Sequence, residues 1–218
     1  MLFAFVAAGI PAYDPARAQE FSADVTTVGA EGQFIEAGKL SVSSGRVRFE
    51  TADVPNAFFL VSSDANGAYL IRPAQRVFMD AAQASRVILL FVSVNSDDPC
   101  PRWLAMSKLA GILDQNSEQE TQWHCNRIGS DTISGRDTVR FQAATLDGRR
   151  RTGWIDPLLR FPLKIAAEDG MTFELRNIVE EAQPPSRFEI PPEFIKFDPR
   201  QLIEHLKKSD VWVDRPPQ

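Results

Sequence analysis

Residues that most often carry chemistry are scarce in this chain: 218 residues hold two histidines, two cysteines and two tyrosines. Catalysis needs a positioned base, nucleophile or metal, and His124 and His205 are the only imidazoles. His205 stands between Glu204 and Leu206 on what reads as the exposed side of a C-terminal helix. The motifs G-x-S-x-G, H-E-x-x-H, the Walker loop and G-x-G-x-x-G are all missing. A basic surplus is missing too. Lys and Arg number 24 against 29 Asp and Glu, a net charge of −5 that argues against a general nucleic-acid surface. No apolar run approaches the roughly 20 residues of a membrane-spanning helix. The expectation is a chain that is not an enzyme and has no cofactor and no metal.

The apolar run that does exist lies at the start. Leu2 to Ile10 (LFAFVAAGI) has the length of a signal-peptide hydrophobic region, Pro11 breaks any helix, and Ala16-Arg17-Ala18 supplies small residues for cleavage. The positively charged segment that normally precedes such a run is missing, so the true start is expected upstream of Met1. Residues 1–18 therefore read as a signal peptide cleaved near Ala18, and residues 19–218 as one exported domain. The competing reading is a strand or helix of the core.

Export suits the cysteines. Cys100 and Cys125 form an even count in a compartment where disulfides persist. A bridge between them closes a loop of about 25 residues, worth about 3 kcal/mol in loop entropy. A metal site could instead recruit His124 with Asp97 or Asp98, but no C-x-x-C or H-x₃-H spacing occurs. The disulfide is expected; free thiols remain the other alternative.

Most of the remaining text reads as strands. Phe21 to Val28 alternates, and Lys39–Val42 and Arg46–Glu50 flank Ser43-Ser44-Gly45, a hairpin signal. Val47 and Phe49 alternate with Arg46, Arg48 and Glu50, giving one buried and one wet face. Phe58–Ser62, Ala68–Arg72 and Arg76–Asp80 continue a meander, and Arg149–Asp156, Arg160–Ala166 and Met171–Val179 form a second set around Asp-Gly turns. Phe188 to Ile190 reads as a short closing strand before Pro191-Pro192.

Two stretches differ. Ser85 to Val94 is strongly apolar, and its periodicity does not separate strand from buried helix. Pro101 can open a helix running to about Leu113, with Trp103, Met106, Leu109, Ala110 and Leu113 as its apolar stripe. Near the end, Asp198 and Pro199 cap a further helix docked through Leu202, Ile203 and Leu206.

Phe58-Phe59-Leu60-Val61 and Ala68-Tyr69-Leu70-Ile71 are apolar on both faces, where an antiparallel sheet with one wet face should alternate. Both faces are then covered, or one of them faces an apolar cavity. A plain helix-covered core explains these residues as well as a lipid-holding one does.

Several of these segments together resemble one family. Lys39 to Val42 turning into Arg46 to Glu50, then Phe59-Leu60-Val61-Ser62-Ser63-Asp64, Gly67 to Leu70 and Arg72-Pro73, are similar to the lipoprotein-localisation carriers of the LolA/LolB type. The ending Phe188-Glu189-Ile190-Pro191-Pro192-Glu193-Phe194 also resembles that family's closing strand and Pro-Pro turn. The match is spread over roughly residues 20 to 195 without one diagnostic motif. One departure is that Ser44-Gly45 stands where the carriers place an Arg of the first hairpin.

The resemblance implies an α+β fold: a half-open antiparallel β-barrel, a curled meander sheet, with lid helices over an apolar interior and a C-terminal helix after it. Ser85 to Leu113 would be the lid. It implies a non-catalytic periplasmic binding protein that holds an acyl or other lipid chain, as in lipid or lipoprotein trafficking. An envelope regulatory protein acting through protein contacts on the same scaffold is the alternative. Strand parity then nominates Phe49, Phe58, Leu60, Tyr69 and Ile71 from the first meander. It nominates Phe141, Phe173 and Leu175 from the second, with Leu89, Phe91, Met106 and Leu109 of the lid opposite. Expected partners are a lipid or the acyl chain of a lipoprotein, and an envelope protein.

Overall fold

The computed structural model describes residues 19–29, 32–62, 67–81, 88–109, 124–144 and 150–198. The expected signal peptide and the expected helix after Asp198 lie outside them, as do Ala110 and Leu113.

Among the described residues, twelve strands form one curled sheet that does not close into a barrel. The first meander comprises β1 (Glu20–Val28), β2 (Phe34–Ser43), β3 (Arg46–Glu50), β4 (Phe58–Ser62), β5 (Gly67–Arg72) and β6 (Val77–Asp80). The second comprises β7 (His124–Ile133), β8 (Arg136–Ala144), β9 (Arg150–Asp156), β10 (Phe161–Ala167) and β11 (Thr172–Glu180). Pairing of β1 with β11 joins the two, with Val25 opposite Leu175 and Thr27 opposite Phe173. The last strand, β12 (Ile195–Lys196), lies parallel to β6, so the sheet is mixed rather than wholly antiparallel.

Between the meanders the chain must travel from β6, near one edge, to β7 at the opposite edge. The described part of that path, residues 88–109, lies against the inner face. The expected lid is this crossover. Ser85 to Val94 is neither strand nor long helix where it is described: Ile88–Leu90 makes one 3-10 turn and the chain then runs irregularly. Leu89, Leu90, Phe91, Val92 and Val94 are all buried, so apolar burial rather than periodic hydrogen bonding fixes the segment. The helix α1 (Cys100–Leu109) follows and starts one residue before Pro101. Asp98 Oδ1 accepts the Cys100 N–H at 3.1 Å, satisfying one of the helix's free donors. It is the only α-helix among the described residues, where lid helices in the plural were expected.

A further correction concerns the closing segment. Phe188 to Ile190 is not a strand: Pro185–Phe188 forms a 3-10 turn, because the Pro184-Pro185 pair removes the donors a ladder needs. The segment crosses the outer face of β3 to β5 as a strap and pairs only at β12, through Ile195 N–H to Arg76 O (2.9 Å) and Phe197 N–H to Phe78 O (2.7 Å).

One glycine shapes the sheet. Val25 faces Gly38 and Thr26 faces Glu36, leaving Ala37 as the extra residue of a β-bulge. A Cβ on Gly38 would collide with the backbone oxygen of Glu50, so only glycine permits the close approach of β2 and β3.

Candidate functional site: the inner face and its mouth

The inner face is apolar from one side of the sheet to the other. Phe21, Val25, Leu40, Val47, Phe49, Phe59, Phe141, Ile155, Leu163 and Leu175 belong to one buried cluster with the crossover's Leu89 to Val94, Trp103 and Met106. Trp103 is 2% exposed; its indole N–H donates to Leu90 O at 3.1 Å, and its ring lies over Gly153 of β9. The interior is therefore occupied by the chain's own side chains.

Placement of the nominated residues is split. Phe49, Phe141, Leu175, Leu89, Phe91 and Met106 come together in the inner cluster, and Phe173 and Leu109 pack against it half-buried. Phe58, Leu60 and Ile71 do not join them. They form a second cluster with Phe188 on the outer face, and Tyr69, Phe78, Ile190 and Phe194 pack around it. The parity of β4 and β5 is thus opposite to the expected one: Phe59, Val61, Ala68 and Leu70 point inward. The guanidinium of Arg48 sits 3.5 Å from the Phe58 ring centroid and donates to Arg187 O at 3.2 Å, fastening the strap over this cluster. Residues not nominated but central inside are Trp103, Leu90, Val92 and Phe161. Phe161 had a signal in the alternation of Phe161, Leu163 and Ile165, and Trp103 in the apolar stripe of the expected helix; Leu90 and Val92 lie in an apolar run without a period to assign their faces.

Registers place the connections β1–β2, β3–β4, β5–β6 and β10–β11, and the start of β7, at one end of the sheet. That end is the mouth. An open groove of about 800 Å³ lies there, lined by Ala37, Lys39, Arg48, Val54, Ala57 and Phe58 among others. Val54 and Ala37 also pack against the inner cluster, whereas Arg48 and Phe58 belong to the outer face, so the groove runs along the rim between the two faces. Phe34, Ile35 and Met171 stand exposed on the neighbouring hairpins, Phe34 beneath the Arg176 guanidinium at 3.9 Å.

The expected disulfide is present: Cys100 at the start of α1 is bonded to Cys125 of β7, with Cα atoms 5.6 Å apart. It staples the crossover to the edge of the sheet near the mouth. Asp98 lies within 4.8 Å of both sulfurs, but these are bonded to each other and the carboxylate caps α1. His124 is exposed at the start of β7.

At the far end from the mouth, Asp156 is 2% exposed and is fully engaged. Oδ2 accepts from Arg136 Nε, while Oδ1 accepts the N–H groups of Leu158 (2.7 Å) and Leu159 (3.0 Å). Burial works against the Arg136 charge, but hydrogen bonds and fields from Asp156 and Glu180 prevail and raise its pKa above the ordinary value. This cluster fixes the β9–β10 turn rather than a reaction.

No family model matches the chain, and no curated protein matches it. Among solved structures it is similar to PNGF-II in the P21 crystal form, with a TM-score of 0.50 at 10% identity over 88% of this chain and 34% of that one. It is similar to an uncharacterized conserved protein from Thermus thermophilus, with a TM-score of 0.46 at 8% identity over 83% of this chain and 90% of that one. Another match is the LolA superfamily protein NE2245 from Nitrosomonas europaea, with a TM-score of 0.34 at 9% identity over 81% of this chain and 91% of that one. This chain spans about a third of the PNGF-II length. At such identities the likeness is one of fold.

Proposed function

We propose that the protein is an exported, non-catalytic binding protein whose inner face takes an acyl chain in place of part of its own crossover. One observation carries this reading. The continuous apolar inner surface is covered by a segment with almost no regular structure, Leu89 to Val94, held by burial of its side chains. Among the described residues, one backbone hydrogen bond, Val94 N–H to Arg160 O at 2.9 Å, ties residues 88–109 to the sheet framework. Apolar contact is non-directional, so a hydrocarbon chain can replace such a plug in kind. The disulfide fits an oxidising compartment such as the periplasm.

Burying ten methylenes gains about 8 kcal/mol before the costs of association and of re-exposing the plug. A fluorescent long-chain fatty acid titrated into the full chain tests the reading: saturable 1:1 binding supports it, and a flat titration removes it. The alternative is an envelope protein acting through protein contacts. It draws support from β7, an edge strand with β8 as its only strand neighbour among the described residues and exposed over most of its length.

A further inference from the structure

We infer that the Cys100–Cys125 bridge is a redox-operated latch on the crossover, opened by a dithiol reductant and closed again by oxidation. Its consequence for acyl access rests on the function proposed above; the latch itself does not.

The bridge uses both cysteines of the chain. It joins the first residue of α1 to the second residue of β7, an edge strand beside the mouth. Otherwise the crossover meets the sheet mainly through buried apolar side chains, so this bond is its covalent restraint at that end. Removing a cross-link that spans 25 residues frees the loop from Cys100 to Cys125, which carries Trp103 and Met106 of the inner cluster, and takes away the anchor at which the preceding Leu89 to Val94 ends.

The two sulfurs are unlike, which gives the exchange a direction. Cys100 is 4% exposed beneath the sheet edge, whereas Cys125 is half-buried on a strand whose neighbours in sequence are exposed. An incoming thiolate therefore meets Cys125 Sγ. A bond forms between the two, the Cys100–Cys125 bond breaks, and the electron pair leaves on Cys100 Sγ. That thiolate sits at the first turn of a ten-residue helix, whose free N–H groups favour negative charge. Asp98, whose carboxylate holds the Cys100 N–H, is the opposing neighbour and makes the departure slower than the helix alone would. The reductant's second thiolate then attacks its own sulfur in the mixed disulfide and releases Cys125. In sum, protein disulfide and dithiol become protein dithiol and a cyclic disulfide, with two electrons and two protons passing to the cysteines.

Hydrogen exchange read by mass spectrometry on the full chain, oxidised and reduced with dithiothreitol, decides the matter. Reduction is expected to speed exchange over residues 88–109 by tenfold or more while residues 20–50 and 150–180 keep their protection. The double variant Cys100→Ala with Cys125→Ala should show the reduced pattern without reductant. Glutathione, a monothiol, should leave its adduct on Cys125. Unchanged exchange over 88–109 in protein whose thiols are shown free by alkylation overturns the latch, and so does a loss of protection in all strands together. An adduct confined to Cys100 overturns the direction of attack. A fluorescent fatty acid titrated in parallel reports separately on the proposed function. Tighter binding after reduction supports both claims, whereas no binding in either state, with exchange switched, keeps the latch and removes the acyl reading.

Discussion

Trp103 of α1 and Gly153 of β9 fit by subtraction: a Cβ on Gly153 would collide with Cη2 of the indole. The missing side chain on the sheet is the space the lid's largest residue fills. Gly153→Ala should therefore destabilise the protein by about 1–3 kcal/mol, as overpacking does. In a Trp103→Leu background the same change should cost less, giving a coupling of at least about 0.5 kcal/mol in a double-mutant cycle. Urea midpoints of the four proteins check this; additive costs would show that the two residues do not share the site.

Asp156 should behave as a structural carboxylate. Asp156→Ala strips two turn N–H groups of their acceptor and leaves Arg136 without its buried partner. The expected loss is about 3–5 kcal/mol by denaturant titration, with little effect on the affinity of whatever still folds. Because the Arg136 pKa is raised, the stability tied to its charge is fully present below its unfolded value and is lost only as pH climbs through the folded one. Melting curves from neutral to about pH 11 should show no loss traceable to this pair.

The outer and inner faces of the sheet should respond differently to charge. Leu60 lies under the strap with Phe58 and Phe188, so Leu60→Glu should free the strap and make residues 183–197 sensitive to protease. Acyl-probe binding should survive in that variant. Phe173→Asp places the charge against the inner cluster and should abolish binding while the strap stays protected. Circular dichroism confirms that each variant folds. Loss of binding in Leu60→Glu alone would put the site on the outer face.

The first and second meanders were legible because Val47 and Phe49, or Leu163 and Ile165, alternate with charged or exposed neighbours that fix their face. Phe58 to Val61 carries no such marker. Both of its faces are covered, one by the crossover and the other by a strap that begins more than a hundred residues later, so its parity could not be read locally. The crossover was recognisable as apolar and destined for burial, but its shape is dictated by the sheet around it, including the notch at Gly153. The disulfide was legible from the even cysteine count, the expected export and the lack of metal-ligand spacing. The end of the strap misled because Phe188-Glu189-Ile190 has strand composition, while the prolines on both sides of it set the backbone.

The most direct measurement uses a fatty acid bearing a diazirine near its methyl end, photolysed with the full chain and mapped by mass spectrometry. Insertion of the acyl chain under the crossover predicts cross-links at near-unit stoichiometry on peptides of the inner face, those holding Phe49, Phe141 and Leu175, and on crossover residues 88–109. Cross-links confined to the peptides of Phe58, Leu60 and Phe188, or none above a background set by unfolded protein, would contradict it.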